Sequence, residues 1–344
     1  MRNVATTLLA VASILAVCQS SVSARMTCSI NVDMKYVKPP ISRIKDDTGN
    51  LRPPSPMQQV HTESMLAGQD IYIQSIKSEK DLRLMLVSAI AWKNGMGNEW
   101  FEASKEYLLA WINTYEPEYH PINETVFDQL IQTYVIIKSN LSPQERSDIN
   151  KYLYSWANGY ITRMNNAPKG ISWYSNWQSH RIKLITLIAV ATDNDHLFNE
   201  SRRLFKKQIE ENMNSEGEVV DFKQRDAIHY VVYDLQPLLQ AALAAMSRGE
   251  DWYHWTAPNN ASLEKGINWL TPYVTGEKTH NEFINSKIKL DAIRKQRGLK
   301  NFNGIFRPEE AKSVYWLASA FNASYEPLAL KLLAKPPLIM DWCN

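Results

Sequence analysis

The stretch "RDAIHYVVYDLQPLL", residues 225–239, has helical period. Set at 100° per residue, Ile228, Val231, Val232, Leu235, Leu238 and Leu239 fall within one arc of roughly 120°. Arg225, Asp226, His229, Tyr230 and Tyr233 gather on the opposite side. A solvated helix face is ordinarily built from Lys, Glu and Gln, so this cationic and aromatic one belongs to a helix that packs on one side and lines a cavity on the other. Pro237 removes the hydrogen bond to the Tyr233 carbonyl and predicts a kink in a helix otherwise expected to run from 225 to 247.

The surrounding chain repeats with the same period. Helices are expected over 79–92, 99–115, 124–140, 142–164, 176–194, 195–214, 260–274, 281–298, 307–322 and, briefly, 326–334. Ser142, followed by Pro143 and Glu145, supplies a capping residue, an N1 proline and a third-position acid. Extended pieces are scarce: "DIYIQSI" (70–76) and "GEVVDF" (217–222) are the two candidates. Helices joined by short polar loops, with no internal repeat, predict an all-α fold of stacked hairpins. Hairpins that close into a ring provide inner helices of the kind the opening stretch requires.

Residues 1–24 have the anatomy of a secretory signal peptide: Arg2, an apolar run from Val4 to Val17, and small residues at Val22-Ser23-Ala24. Cleavage is expected after Ala24, with periplasmic or extracellular destinations. A lipoprotein reading at Cys18 is disfavoured by the valine before it. Residues 25–60, rich in proline ("YVKPPISR", "LRPPSPM"), read as an extended arm, and 61–344 as one domain. No later segment approaches the roughly 20 apolar residues of a membrane span. The net charge of +2 argues against a nucleic-acid partner and leaves room for a local basic groove. Cys28 and Cys343, at opposite ends of the mature chain, permit one disulfide. Five Asn-X-Ser/Thr triplets, at Asn123, Asn140, Asn199, Asn260 and Asn322, carry meaning only in a eukaryotic secretory pathway.

A second constellation is "WYSNWQSHRIKLI" (173–185), where Asn176 and His180 stand at i, i+4 on one face of a helix start. Helix starts favour anions, and Trp173, Tyr174 and Trp177 surround this one with rings on which sugars stack. An acidic sugar would suit both constellations together.

At these residues the chain resembles the alginate lyase family, all-α polysaccharide lyases built as an incomplete (α/α) toroid. "DAIHYVVYDLQPLL" is similar to the helix carrying that family's catalytic tyrosine, and "NWQSHR" stands where the family has Asn-Asn-His. The resemblance implies Tyr230 as the catalytic tyrosine and His180 as the catalytic histidine. Ser179 occupies the position of the family's asparagine, for which Asn176, one turn earlier, is the substitute. Lys223 occupies that of its arginine, for which Arg225 is the preferred stand-in. These departures suggest a relative of the mannuronate-cleaving enzymes, acting on that or another 4-linked uronate polymer such as glucuronan.

The chemistry fits. Cleaving such a polymer by β-elimination means taking the proton at C5, beside a carboxylate that must first be neutralised. Arg225 and Asn176 are suited to the carboxylate. Tyr230 serves as base, acid or both, and His180 as alternative base or carboxylate partner. His229, Tyr233, Trp173, Tyr174, Trp177 and Lys223 are expected to touch substrate. No cofactor or metal is called for: HExxH is absent, and His180, His229 and His254 lack ligand spacing. Two rivals remain open, a glycoside hydrolase using Asp221 and Asp226 and a protein that binds acidic polysaccharide without turnover. Oligomeric state is not legible.

Overall fold

The computed structural model describes residues 51–63, 69–166, 170–299, 302–336 and 342. The leader, most of the proline-rich arm, Cys28 and Cys343 lie outside the described residues. Among the described residues thirteen α-helices follow one another: α1 (Asp70–Ser78), α2 (Lys80–Lys93), α3 (Asn98–Thr114), α4 (Asp128–Ile137), α5 (Pro143–Asn166), α6 (Asn176–Ala191), α7 (Asp195–Asn212), α8 (Val220–Arg225), α9 (Ile228–Met246), α10 (Leu263–Thr275), α11 (Lys289–Gln296), α12 (Lys312–Ser319) and α13 (Glu326–Leu332).

Their contacts sort into two layers. α2, α4, α6, α9 and α12 each pack on the next of that series, and α3, α5, α7, α10 and α13 lie outside against them. The result is an incomplete (α/α) toroid, open between α2 and α12, as the periodicity and the resemblance predicted. α6 is the innermost element: every residue except Trp177 is buried. Its run Ile182–Val190 is apolar nearly all round, the pattern of a helix with neighbours on all sides. α9 packs on α6, and its Ile228, Val231, Val232, Leu235 and Leu239 all belong to the main core. It continues through Pro237.

Helix ends follow the local chemistry. Glu145 N donates to Ser142 Oγ at 3.2 Å and Ser142 N to Glu145 Oε2 at 2.8 Å, the reciprocal box read from the sequence. Asn194 and Ser262 cap α7 and α10 by accepting from Leu197 N and Lys265 N, without the reciprocal bond.

Four expectations change. "DIYIQSI" is helix α1, not a strand: no described strand stands beside it, and Ser75 Oγ bonds back to the Ile71 carbonyl at 2.8 Å. "GEVVDF" is extended only as far as Val219, which bridges Met213, and turns helical at Val220. The expected helix 281–298 forms only over 289–296. Its first half is clamped onto the corner before α9, with Phe283 N bonded to the Asp226 carbonyl and Lys287 N to that of Gln224, both at 2.8 Å. Finally, 225–247 is not one helix. Asp226 takes a left-handed conformation (φ 49°), ends α8, and lets α9 restart at Ile228.

Candidate active site

The break at Asp226 orders the site. Its backbone carbonyl accepts from Phe283 N, and its carboxylate accepts from Asn285 N at 2.8 Å and Asn285 Nδ2 at 2.9 Å. The first free amides of α9, at Ile228 and His229, donate to Glu282 Oε1 at 3.1 and 3.4 Å. With the corner held, Arg225 lies under the Tyr230 ring, its guanidinium carbon 3.9 Å from the centroid. Arg225 Nη1 also donates to Asp291 Oδ1 at 2.6 Å, and Asp291, fully buried in the first turn of α11, accepts from Ser286 Oγ as well. One turn further along α11, Arg294 Nη1 donates to the Tyr230 phenol oxygen at 3.3 Å. Tyr230 is 8% exposed. Burial pushes its phenol above the usual tyrosine range, while Arg225 and then Arg294 pull it back; burial prevails.

The start of α6 faces this cluster. Asn176 donates to Asp221 through its backbone N–H (2.7 Å) and its Nδ2 (2.5 Å). Burial raises the Asp221 carboxyl to about 6, against those bonds and the charge of Arg225. Because the carboxylate claims the amide nitrogen, Asn176 Oδ1 is left buried without a hydrogen-bond partner among the described residues. Asn176 therefore presents an acceptor, not the donor that carboxylate neutralisation requires.

His180, one turn on, has Nδ1 2.7 Å from Thr125 Oγ1 and a buried Nε2 without a hydrogen-bond partner among the described residues. Lys183 Nζ donates to the same Thr125 oxygen at 3.1 Å, which leaves the hydroxyl's own proton available to His180 Nδ1; with that bond made, the ring proton sits on Nε2 and the imidazole is a neutral donor. Burial, and then the Lys183 cation, keep its pKa well below the histidine range. Lys183 is itself buried and paired with Asp128 at 3.2 Å.

Tyr233 connects the two halves, its ring centroid 4.5 Å from that of His180 and 6.2 Å from that of Tyr230. His229 lies edge-on to Tyr230 and bonds Glu310 Oε2 at 3.1 Å through Nδ1. Tyr230, His180, Asn176 and Arg225 thus form one contiguous group with Tyr233 and His229. Lys223 does not join it: exposed, it pairs with Glu218 at 3.8 Å and lines a different hollow with Asn212 and Asn259. Trp173 and Trp177 line a cavity beside the start of α6, and Tyr174 a further one with Arg203 and Lys207. Ser179 turns away, donating to the buried Asp234 at 2.6 Å.

The sequence reading missed Arg294, Asp291, Thr125 and Lys183. Arg294 looked like one more basic residue on a polar helix, and nothing in its spacing connects it with a tyrosine 64 positions earlier. The acid pair of the hydrolase reading is already consumed, Asp221 by Asn176 and Asp226 by the corner. Among the described residues no three His, Cys, Asp or Glu side chains are grouped to hold a metal, and no helix is long and apolar enough to cross a membrane.

Residues 65–280 match the family model described as alginate lyase. A polysaccharide lyase of Stenotrophomonas maltophilia is 25% identical over 145 residues, a match spanning 42% of this chain and 42% of that protein's length. Among solved structures, an alginate lyase from Bacteroides ovatus has a TM-score of 0.59 at 14% identity, covering 88% of this chain and 89% of that one. Alginate lyase A1-III from Sphingomonas species A1 has 0.53 at 17%, covering 72% and 78%. At these identities the structures speak to the fold alone.

Proposed function

The chain belongs to the alginate lyase family, and on that premise we propose that it is a polysaccharide lyase cleaving a 4-linked uronate polymer, polymannuronate-like or glucuronan-like, by β-elimination at Tyr230. One observation carries the reading. A buried phenol with a guanidinium at its oxygen is joined through the Tyr233 ring, 6.2 Å from one and 4.5 Å from the other, to a histidine whose Nε2 has no hydrogen-bond partner among the described residues.

In this mechanism His180 Nε2–H and Arg294 take the substrate carboxylate, lowering the cost of the dianion that forms when C5 is deprotonated. Tyr230 as phenolate removes the C5 proton. The released pair forms the C4–C5 double bond as the C4–O4 bond breaks, and the same phenol returns the proton to O4, regenerating the phenolate. Arg225, neutralised by Asp291 and stacked under the ring, holds the phenol in place rather than meeting the substrate. Asn176 Oδ1 accepts from a sugar hydroxyl. Tyr233 and His229 flank the bound ring. The leader read in residues 1–24 supports export; N-terminal sequencing of the exported protein, expected to begin at Arg25, tests it.

The test is incubation of the mature protein with polymannuronate, polyguluronate and glucuronan, following ultraviolet absorbance and reducing ends. A lyase raises both. A rise in reducing ends alone indicates hydrolysis and overturns the proposal, as does no rise in either.

A further inference from the structure

The cavity beside the start of α6 has a volume of about 510 Å³, within the range of small-ligand sites. Its walls include His120, Arg163, Trp173, Trp177 and Arg181. Arg181 is buried, with its guanidinium carbon 4.2 Å from the Trp173 ring centroid. Its Nη1 donates to the Ser172 carbonyl at 2.6 Å and Gln178 Oε1 at 3.1 Å; Nε and Nη2 have no partner among the described residues. Arg163, at the exposed rim, donates to the Glu118 carbonyl at 3.1 Å.

Neither guanidinium has a carboxylate within ion-pair distance among the described residues. Glu118 also lines the cavity, but its carboxylate turns to His61 at 3.9 Å. Burial lowers Arg181 to about 10, and Arg163 pushes it the same way. A buried cation without a counter-ion is costly unless something else supplies one. Trp177 adds a ring whose neighbour is His120, 4.7 Å away edge-on. The cavity lies along the same helix start: Trp177 and Arg181, on its wall, follow Asn176 and His180 on α6.

We propose that this cavity is a second saccharide subsite, holding another uronate ring of the polymer bound at Tyr230, with Arg163 and Arg181 on its carboxylate and Trp177 against its ring. The proposal rests on the uronate reading above. It makes charge recognition extend beyond the ring being cleaved.

The test is calorimetric binding to the full mature chain carrying Tyr230→Phe, which blocks turnover. The ligands are a mannuronate hexasaccharide, a glucuronate hexasaccharide and their carboxyl-reduced, neutral counterparts. At least one acidic hexasaccharide should bind, and its neutral counterpart more weakly. Adding Arg163→Ala should weaken acidic binding about tenfold, the worth of one charge-assisted hydrogen bond, and shrink the acidic-to-neutral ratio. Adding Trp177→Ala should weaken acidic and neutral ligands together. Acidic binding unchanged by both substitutions overturns the subsite, and so does failure of both acidic hexasaccharides to bind. Cleavage by the unsubstituted protein is scored separately. Activity with unchanged binding sinks only the subsite, whereas charge-dependent binding without any unsaturated product sinks only the lyase reading.

Discussion

Replacing Arg294 with methionine isolates the charge at the phenol oxygen. The guanidinium nitrogen lies 3.3 Å from the Tyr230 oxygen. At that separation a cation stabilises a phenolate by about 1 kcal/mol in a water-like dielectric and about 5 kcal/mol at an effective value of 20. Tyr230 is 8% exposed, which weights the outcome toward the larger figure. If the phenolate is the base, this range corresponds to a loss in kcat/KM of between about ten and a few thousand at neutral pH. The sign is fixed by chemistry. Arg294 favours the ionised phenol, so its loss moves the alkaline rise in activity to higher pH and part of the rate returns there. Arg294→Lys keeps the charge and should fall between the two. The assay is the initial rate of absorbance increase on the preferred polymer across a pH series, with thermal unfolding as a check, because Arg294 also lies over Phe302 at 5.1 Å. A methionine variant within threefold of the parent at every pH would refute the assignment of Arg294 to the phenol.

Further outcomes follow from the same geometry. His180→Ala should lower kcat by about a hundred- to a thousandfold, the effect of removing one donor from a developing oxyanion. In the parent enzyme the acid-side loss of activity due to His180 should lie below the ordinary histidine range, since burial and Lys183 both oppose protonation. Lys183→Met strands Asp128 in the core and should destabilise the fold by about 3–5 kcal/mol in denaturant titration. Glu282 is raised by burial to about 8, so its contribution to stability is complete below the usual carboxyl pKa and declines as pH rises through about 8. Glu282→Gln keeps the acceptor for the α9 amides, and its melting temperature should fall less than the parent's between pH 5 and 8, by the equivalent of about 3 kcal/mol.

The toroid was legible because burial imposes a period on the chain. α9 shows it most clearly, with an apolar arc that the sequence separates from a cationic and aromatic one, whereas α6 is marked by a run that is apolar nearly all round. Tyr230 and His180 stood out in the sequence as polar rings on helices with apolar runs, and the structure links them through the Tyr233 ring. What escaped the sequence was the set of partners brought in from distant segments. Arg294 and Asp291 arrive from a stretch whose period predicted a long helix, but whose first half is drawn into hydrogen bonds with the Asp226 corner. That corner also escaped, because a left-handed aspartate costs little and leaves no mark on a helical pattern. Asn176 shows a different limit: spacing puts its side chain in the site, whereas the orientation of its amide depends on Asp221, 45 residues away.

The most direct measurement is the rate of unsaturated-product formation by Tyr230→Phe on the polymer that the parent cleaves fastest. Phenylalanine keeps the ring that Arg225 covers and that packs edge-on with Phe283, and removes only the oxygen. The account predicts unchanged thermal unfolding and a loss of at least about a hundredfold, the lower end of what a positioned acid–base group contributes. A folded variant retaining a tenth or more of the parent rate would contradict it.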